Sequence, residues 1–232
     1  PVGAGRAARG RPTHGRHLRA EHQGGPVTTR TAVLIPTGVA NLASIAAALH
    51  RAQVETRLAA EPDDILTADL AVLPGVGSFD AGREALAERG FDEALCRRIE
   101  QDRPTLAICL GFQLLLEGSD ESRKDQPGQG IFAGRAQRFC DAVRVPHLGW
   151  NAVRATPGTR YLTDGAAAFA HSFCLRSTPA SGDAAWAEYD APFVAAVERG
   201  NLLACQFHPE LSGGYGRELL ARFCTQSLGG RA

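Results

Sequence analysis

Between residues 31 and 115, short apolar runs alternate with helical segments, and this alternation restricts the fold more than any other feature. TAVLIP (31–36), VETRLA (54–59), LAVLPG (70–75) and TLAICL (105–110) read as buried strands. Residues 42–51, 79–88 and 91–101 carry helical apolar faces, with Arg89-Gly90 as the break between the last two. Strands separated by helices are expected to lie parallel in a sheet covered on both faces. TLAICL runs directly into Gly111, and FQLLLEG after it reads as a helix start. Residues 118–130 are polar and glycine-rich, hence a loop. Beyond them strands dominate: IFAGRAQRF, NAVRAT, AAFAHSFCLR, WAEYD, FVAAVERG and LLACQFHP. These either extend the sheet antiparallel or form a smaller one. A last helix is expected over 216–226. The fold class is therefore α/β: a mostly parallel central sheet flanked by helices, with additional antiparallel strands in the C-terminal half. Nothing divides residues 31–232, which read as one domain.

Residues 1–30 stand apart. They hold six arginines, one acid (Glu21) and no aromatic residue, too little apolar surface to offset the entropy of ordering. A disordered N-terminal extension is expected there. It fits a transit peptide only weakly, because serine is absent and Gly and Pro break any amphipathic helix. The segment reads instead as an upstream remnant, with Val27 as a candidate start in a chain that has no methionine. The whole chain of 232 residues is formally neutral, with 25 basic and 25 acidic groups, and residues 31–232 carry about −5. That balance argues against a nucleic-acid binder, and no run approaches the roughly 20 apolar residues of a membrane helix. Six cysteines, at 96, 109, 140, 174, 205 and 224, form no C-x-x-C pair. Neither a metal nor a cofactor is expected. The cysteines point to a reducing compartment, and a cytoplasmic location is expected.

Cys109 has a distinctive setting, where an apolar strand meets a helix in Ala107-Ile-Cys-Leu-Gly111. A nucleophile on such a strained turn needs small residues two before and two after it. The positive end of the helix then faces the sulfur. The local pattern fits a buried core cysteine equally well. Near the other end, His208 and Glu210 stand two apart in QFHPE, after the strand LLACQF. In an extended segment the carboxylate can orient the imidazole. Cysteine, histidine and carboxylate together make an activated-nucleophile triad. Leu110 N–H is the natural oxyanion donor, with the glycines of Pro74-Gly-Val-Gly77 free to turn a second one inward.

Five motifs in fixed order carry a family resemblance: LPGVGSF (73–79), AICLGFQLL (107–115), VPHLGWN (145–151), AHSF (170–173) and QFHPELSG (206–213). Together they resemble the class I (triad) glutamine amidotransferases, over nearly all of residues 31–227. TGVANLAS (37–44) and VPHLGWN are similar to the branch that provides the glutaminase subunits of imidazole glycerol phosphate synthase, in histidine biosynthesis. The resemblance implies a flavodoxin-like fold and a Cys109–His208–Glu210 triad that hydrolyses glutamine to glutamate and ammonia. It places the oxyanion at Leu110 N–H and, after a peptide rearrangement, Val76 N–H. Gly77, Gln113, Glu121, Ser172 and Phe173 are implied to grip the amino-acid part of glutamine. A separate cyclase subunit, a TIM barrel, is the implied heterodimer partner and receives the ammonia. His147, Trp150 and Asn151 fall in the block implied near that interface, although Trp150 also reads as a core aromatic.

Four positions depart from the family pattern. Leu211 stands where Lys or Arg is usual, Ala168 replaces an aromatic, Pro36 an Asp and Phe112 a Met. None removes a triad member, so the chemistry is expected to be kept while coupling to the partner differs. The rival readings are another triad glutaminase, a γ-glutamyl or peptide hydrolase with the same elbow, and a regulatory subunit with a relic site.

Overall fold

In the computed structural model, which describes residues 30–38, 41–177 and 182–229, the apolar runs of the first half become parallel strands. The elements follow in the order β1 (Arg30–Leu34), α1 (Leu42–Arg51), β2 (Val54–Leu58), α2 (Pro62–Thr67), β3 (Leu70–Leu73), α3 (Phe79–Ala87), α4 (Phe91–Glu100), β4 (Thr105–Ile108) and α5 (Leu110–Leu114). Of the expected extension over 1–30, residues 1–29 lie outside the described residues, and Arg30 already belongs to β1.

Local chemistry explains where the helices begin. The Asn41 side chain accepts from Ser44 N–H at the start of α1, and the Ser78 side chain accepts from Ala81 N–H at the start of α3. α4 follows Gly90, whose φ of 64° suits glycine. The short helix α2 was not anticipated from the apolar pattern. Pro62 opens it, and Asp64 reaches back to Ala60 and Glu61 N–H. Arg98 of α4 is fully buried and donates to the carbonyls of Ile65, Ala68, Asp69 and Pro104, tying α2 and α4 to the ends of β3 and β4.

After α5 come β5 (Leu116–Ser119), β6 (Phe132–Arg138), β7 (His147–Ala155), β8 (Gly165–His171), β9 (Phe173–Cys174), β10 (Asp183–Glu188), β11 (Pro192–Arg199), β12 (Leu202–Cys205) and α6 (Gly213–Leu228). The helix expected from FQLLLEG is thus cut to five residues. From Leu116 the backbone pairs sideways with β6, which claims the bonds a longer helix would use. The loop expected over 118–130 correspondingly starts after Ser119.

One nine-stranded sheet runs in the order β2-β1-β3-β4-β12-β11-β10-β7-β8. β2 to β12 are parallel, and β12 to β8 are antiparallel. Both outcomes left open for the later strands occur, because β5, β6 and β9 form a separate three-stranded sheet. β3, β4 and β12 are buried at every position, as strands covered on both faces must be. Alternate side chains feed two cores. Leu34, Leu106 and Leu203 pack with α1 and α6, while Val33, Leu73 and Ala107 pack with α2 to α5.

The tightest contact lies where β4 turns into α5. A Cβ on Gly111 would sit 2.0 Å from the Leu73 carbonyl oxygen. Backbone rather than a flexible side chain occupies that space, so Gly111→Ala is expected to lower stability by about 3 kcal/mol, measured as a drop in the denaturant midpoint at unchanged slope.

Candidate active site

β3, β4 and β12 are neighbours, and the chain leaving their C-terminal ends converges on one place. Ligands of open α/β sheets bind at this end. β3 delivers Pro74–Gly77, β4 delivers Cys109, and β12 delivers Gln206–His208.

Cys109 holds φ 53° and ψ −106°, a strained combination for a residue with a Cβ. Its N–H donates to Cys205 O at 2.7 Å, and its carbonyl accepts from Gln113 N–H at 3.2 Å. The side chain is nearly buried, its Sγ lies 3.8 Å from Ala170 O, and it raises the pKa of His208. Gln206 Nε2 lies 3.7 Å from the sulfur. Burial pushes the Cys174 and Cys224 thiols up to about 12 and Cys205 well above its ordinary value, so these three stay protonated. None of the six forms a disulfide.

His208 Nδ1 lies 2.9 Å from Glu210 Oε1. The extended segment expected here is replaced after His208 by a 3-10 turn, Pro209–Leu211. Pro209 opens the turn, its fixed φ suits it, and the turn folds Glu210 back under the ring. Glu210 has a side chain only 3% exposed, and its other oxygen, Oε2, has no partner among the described residues. Its one hydrogen bond is therefore aimed at the imidazole. Since a carboxylate only accepts, Nδ1 carries a proton and Nε2 is left for Cys109. Burial opposes charge on His208, but the hydrogen bonds to Cys109 and Glu210 outweigh it and push the pKa up to about 10. Backbone bonds pin the residue: His208 N–H donates to Ala168 O at 2.9 Å, and Ser212 Oγ donates to His208 O at 2.6 Å. The Ala168 main chain makes this link, whatever its side chain.

A cavity of about 190 Å³ opens beside Cys109, smaller than drug-sized pockets of about 300–1,000 Å³. Val76, Gly77, Leu110, Gln113, Glu121, Ser172 and Phe173 all line it with Cys109, so every expected site residue outside the triad faces one space. Glu121 Oε2 accepts from Phe79 N–H at 2.8 Å, while burial and then Asp80 raise its pKa. The Gln113 amide nitrogen is engaged within the protein. Its Nε2 donates to Phe173 O at 2.9 Å and to Gln206 Oε1 at 3.2 Å. Gln206 is a site residue that sequence reasoning passed over; its place between an apolar strand and His208 was the available signal. Leu110 N–H is also engaged, donating to Gly75 O at 3.3 Å. Gly77 sits at φ 111°, a conformation that permits the chain to turn there. Among the described residues no group of three or more His, Cys, Asp or Glu side chains is placed to hold a metal ion.

Removing the sulfur tests the pair directly. In Cys109→Ala, burial and Glu210 alone act on His208, and its pKa is expected to fall well below 10. Ring-carbon NMR titration of both proteins reads the shift.

Comparison with known proteins places this geometry. The family model described as glutamine amidotransferase class-I matches residues 33–227. The imidazole glycerol phosphate synthase subunit HisH of Symbiobacterium thermophilum is 40% identical over 202 residues, covering 82% of this chain and 92% of that protein. The chloroplastic imidazole glycerol phosphate synthase hisHF of Arabidopsis thaliana is 40% identical over 205 residues, covering 84% of this chain but only 34% of the plant protein. A solved glutamine amidotransferase superposes with a TM-score of 0.67 at 18% identity, over 85% of this chain and 98% of that one, a likeness of fold. The chain belongs to the class I glutamine amidotransferase family and, within it, to the family of the imidazole glycerol phosphate synthase HisH subunits.

Proposed function

We propose that the chain is the glutamine-hydrolysing subunit of an imidazole glycerol phosphate synthase and passes ammonia to a cyclase subunit for histidine biosynthesis. The observation that carries this reading is the Cys109–His208–Glu210 constellation beside a cavity sized for an amino acid. The Cys109 thiolate attacks the side-chain carboxamide carbon of glutamine, and the carbonyl oxygen takes the displaced electron pair. His208 gives its Nε2 proton to the departing nitrogen, and ammonia leaves as the carbonyl reforms. Water then attacks the thioester while His208 takes a proton, and glutamate leaves with Cys109 again a thiolate. Glu210 keeps the imidazole oriented throughout. Gly77, Gln113, Glu121, Ser172 and Phe173 are the proposed walls for the amino-acid moiety, and Glu121 is the carboxylate available to an α-ammonium.

The oxyanion hole supports a dependence on the partner. Leu110 N–H is occupied by the Gly75 carbonyl. A turn of the Gly75–Val76 peptide would withdraw that carbonyl and present Val76 N–H instead, with Gly77 absorbing the change. The mouth of the cavity supports a partner as well. Val76 and Leu148 line it and are exposed, and Trp150, two residues beyond Leu148 on β7, is exposed and packs over Gly213, near exposed Leu211 in sequence. An exposed apolar patch of this kind marks an interface. The proposed occupant is the cyclase, a TIM barrel in a heterodimer with this chain. The plant relative, whose hisHF name covers far more chain than the part matched here, is consistent with that pairing. A cytoplasmic setting goes with this function and with the unpaired cysteines. No helix among the described residues is long and apolar enough to cross a membrane.

Glutamate release by the isolated chain is expected to be slow, and a cyclase subunit with its ligand should raise kcat roughly 10²-fold, the worth of one oxyanion donor. Cys109→Ala should abolish both rates, and full activity of the chain alone would sink the coupling. Trp150→Ala should weaken partner binding by roughly 2 kcal/mol, the scale of a buried aromatic anchor, as read by calorimetry.

A further inference from the structure

Two buried histidines, His147 on β7 and His171 at the end of β8, take no part in the chemistry above. His147 Nδ1 lies 3.3 Å from His171 Nε2, and His171 Nδ1 lies 2.9 Å from Phe173 O. Asn151 Nδ2 lies 3.5 Å from His147 Nε2. The Asn151 amide has a fixed orientation, because Nδ2 donates to Glu188 O at 2.8 Å and Oδ1 accepts from Ala152 N–H at 2.7 Å.

These partners determine where the protons are. A carbonyl only accepts, so His171 Nδ1 carries hydrogen. Burial above all, with His147 and His208 nearby, holds His171 down at about 3 against its bond to Phe173, and burial lowers His147 too. Both rings are neutral near pH 7, and a neutral ring has one N–H. His171 Nε2 must then accept, so His147 Nδ1 donates. His147 Nε2 in turn accepts from Asn151.

We propose that His147 and His171 are positioning residues: two imidazoles in series, each protonated on Nδ1 only, that run a one-way hydrogen-bond chain from Asn151 to the Phe173 carbonyl and hold that wall of the glutamine cavity. Phe173 O takes its second hydrogen bond from Gln113, which also donates to Gln206, which reaches Cys109. The chain therefore fixes the carbonyl against which Gln113 is oriented. His171, Ser172 and Phe173 all line the cavity, so the expected consequence is on glutamine binding. That consequence rests on the glutaminase reading; the proton positions do not.

Long-range proton–nitrogen NMR on the full chain with nitrogen-15 histidine reads the tautomers directly. Both rings should show a protonated Nδ1 and a bare Nε2 at pH 7, the form that a free side chain disfavours. Kinetics with the cyclase subunit present test the consequence. His171→Phe removes the donor and should raise KM for glutamine about tenfold with kcat changed less than about threefold. His171→Asn keeps a donor at the δ position and should bring KM back to within about threefold of the unaltered protein. A bare Nδ1 or a doubly protonated ring at either histidine overturns the proposal, as does an unchanged KM in folded His171→Phe. If His171→Phe does not fold, or if the unaltered complex turns over no glutamine, the tautomers alone decide. The latter result refutes the glutaminase reading separately.

Discussion

Cys109 occupies a backbone region that costs an L-residue about 1–3 kcal/mol, and the surrounding chain must over-determine it. Its N–H is tied to β12 through Cys205 O, and its carbonyl is tied forward to Gln113 N–H. Gly111 then passes so close to the end of β3 that no Cβ fits. β3, β4 and β12 are thus locked together at the residue where the chain reverses. The same lock sets the distance from Cys109 to Pro74–Gly77 on one side and to His208 on the other. A relaxed turn would still leave a parallel sheet, but the sulfur, the imidazole and the glycine-rich segment would no longer share one cavity.

That closeness has a chemical consequence. At Gly75 a Cβ would lie 2.7 Å from Leu110 Cβ, so the segment after β3 rests directly on the start of α5. In this position the Gly75 carbonyl reaches Leu110 N–H. The packing that builds the turn therefore occupies the donor that an oxyanion would need. Freeing that donor, as proposed above, would take a turn of the single peptide between Gly75 and Val76, with Gly77 next in the chain. Exposed Val76 belongs to that peptide and also lines the mouth of the cavity, so a protein seated on the mouth would touch this segment.

The sequence made much of this legible because its signals are local. Buried parallel strands show as apolar runs, and the elbow shows as small residues two before and two after Cys109. α1 occupies the residues its apolar face indicated. What was illegible depends on distant partners. FQLLLEG has the composition of a helix, yet Leu116 leaves it to pair with β6, sixteen residues further on. α2 is set by side-chain caps rather than periodicity. Among site residues, all those expected face one cavity or one another, but the bonds between the amides lay outside the expectation. Gln113 and Gln206 bond each other across 93 residues, and no spacing rule announces that contact. Trp150, readable as core or surface, is 61% exposed because β7 presents it outward near the end of the sheet.

His208 and His171 are both deeply buried, at 6% and 5% exposure, yet they are driven in opposite directions. Depth alone cannot separate them, since desolvation disfavours the charged ring in both cases. Their partners do. The Cys109 side chain and the Glu210 carboxylate both raise the pKa of His208, whereas His171 faces a carbonyl and another neutral ring. The two settings also reinforce each other. A charged His208 disfavours a proton on His171 Nε2, which keeps that nitrogen an acceptor for His147. A charged His171 would in turn oppose charge on His208. Neutrality at His171 thus suits both the hydrogen bond from His147 and the charge on His208, and any substitution that charges this position would disturb both.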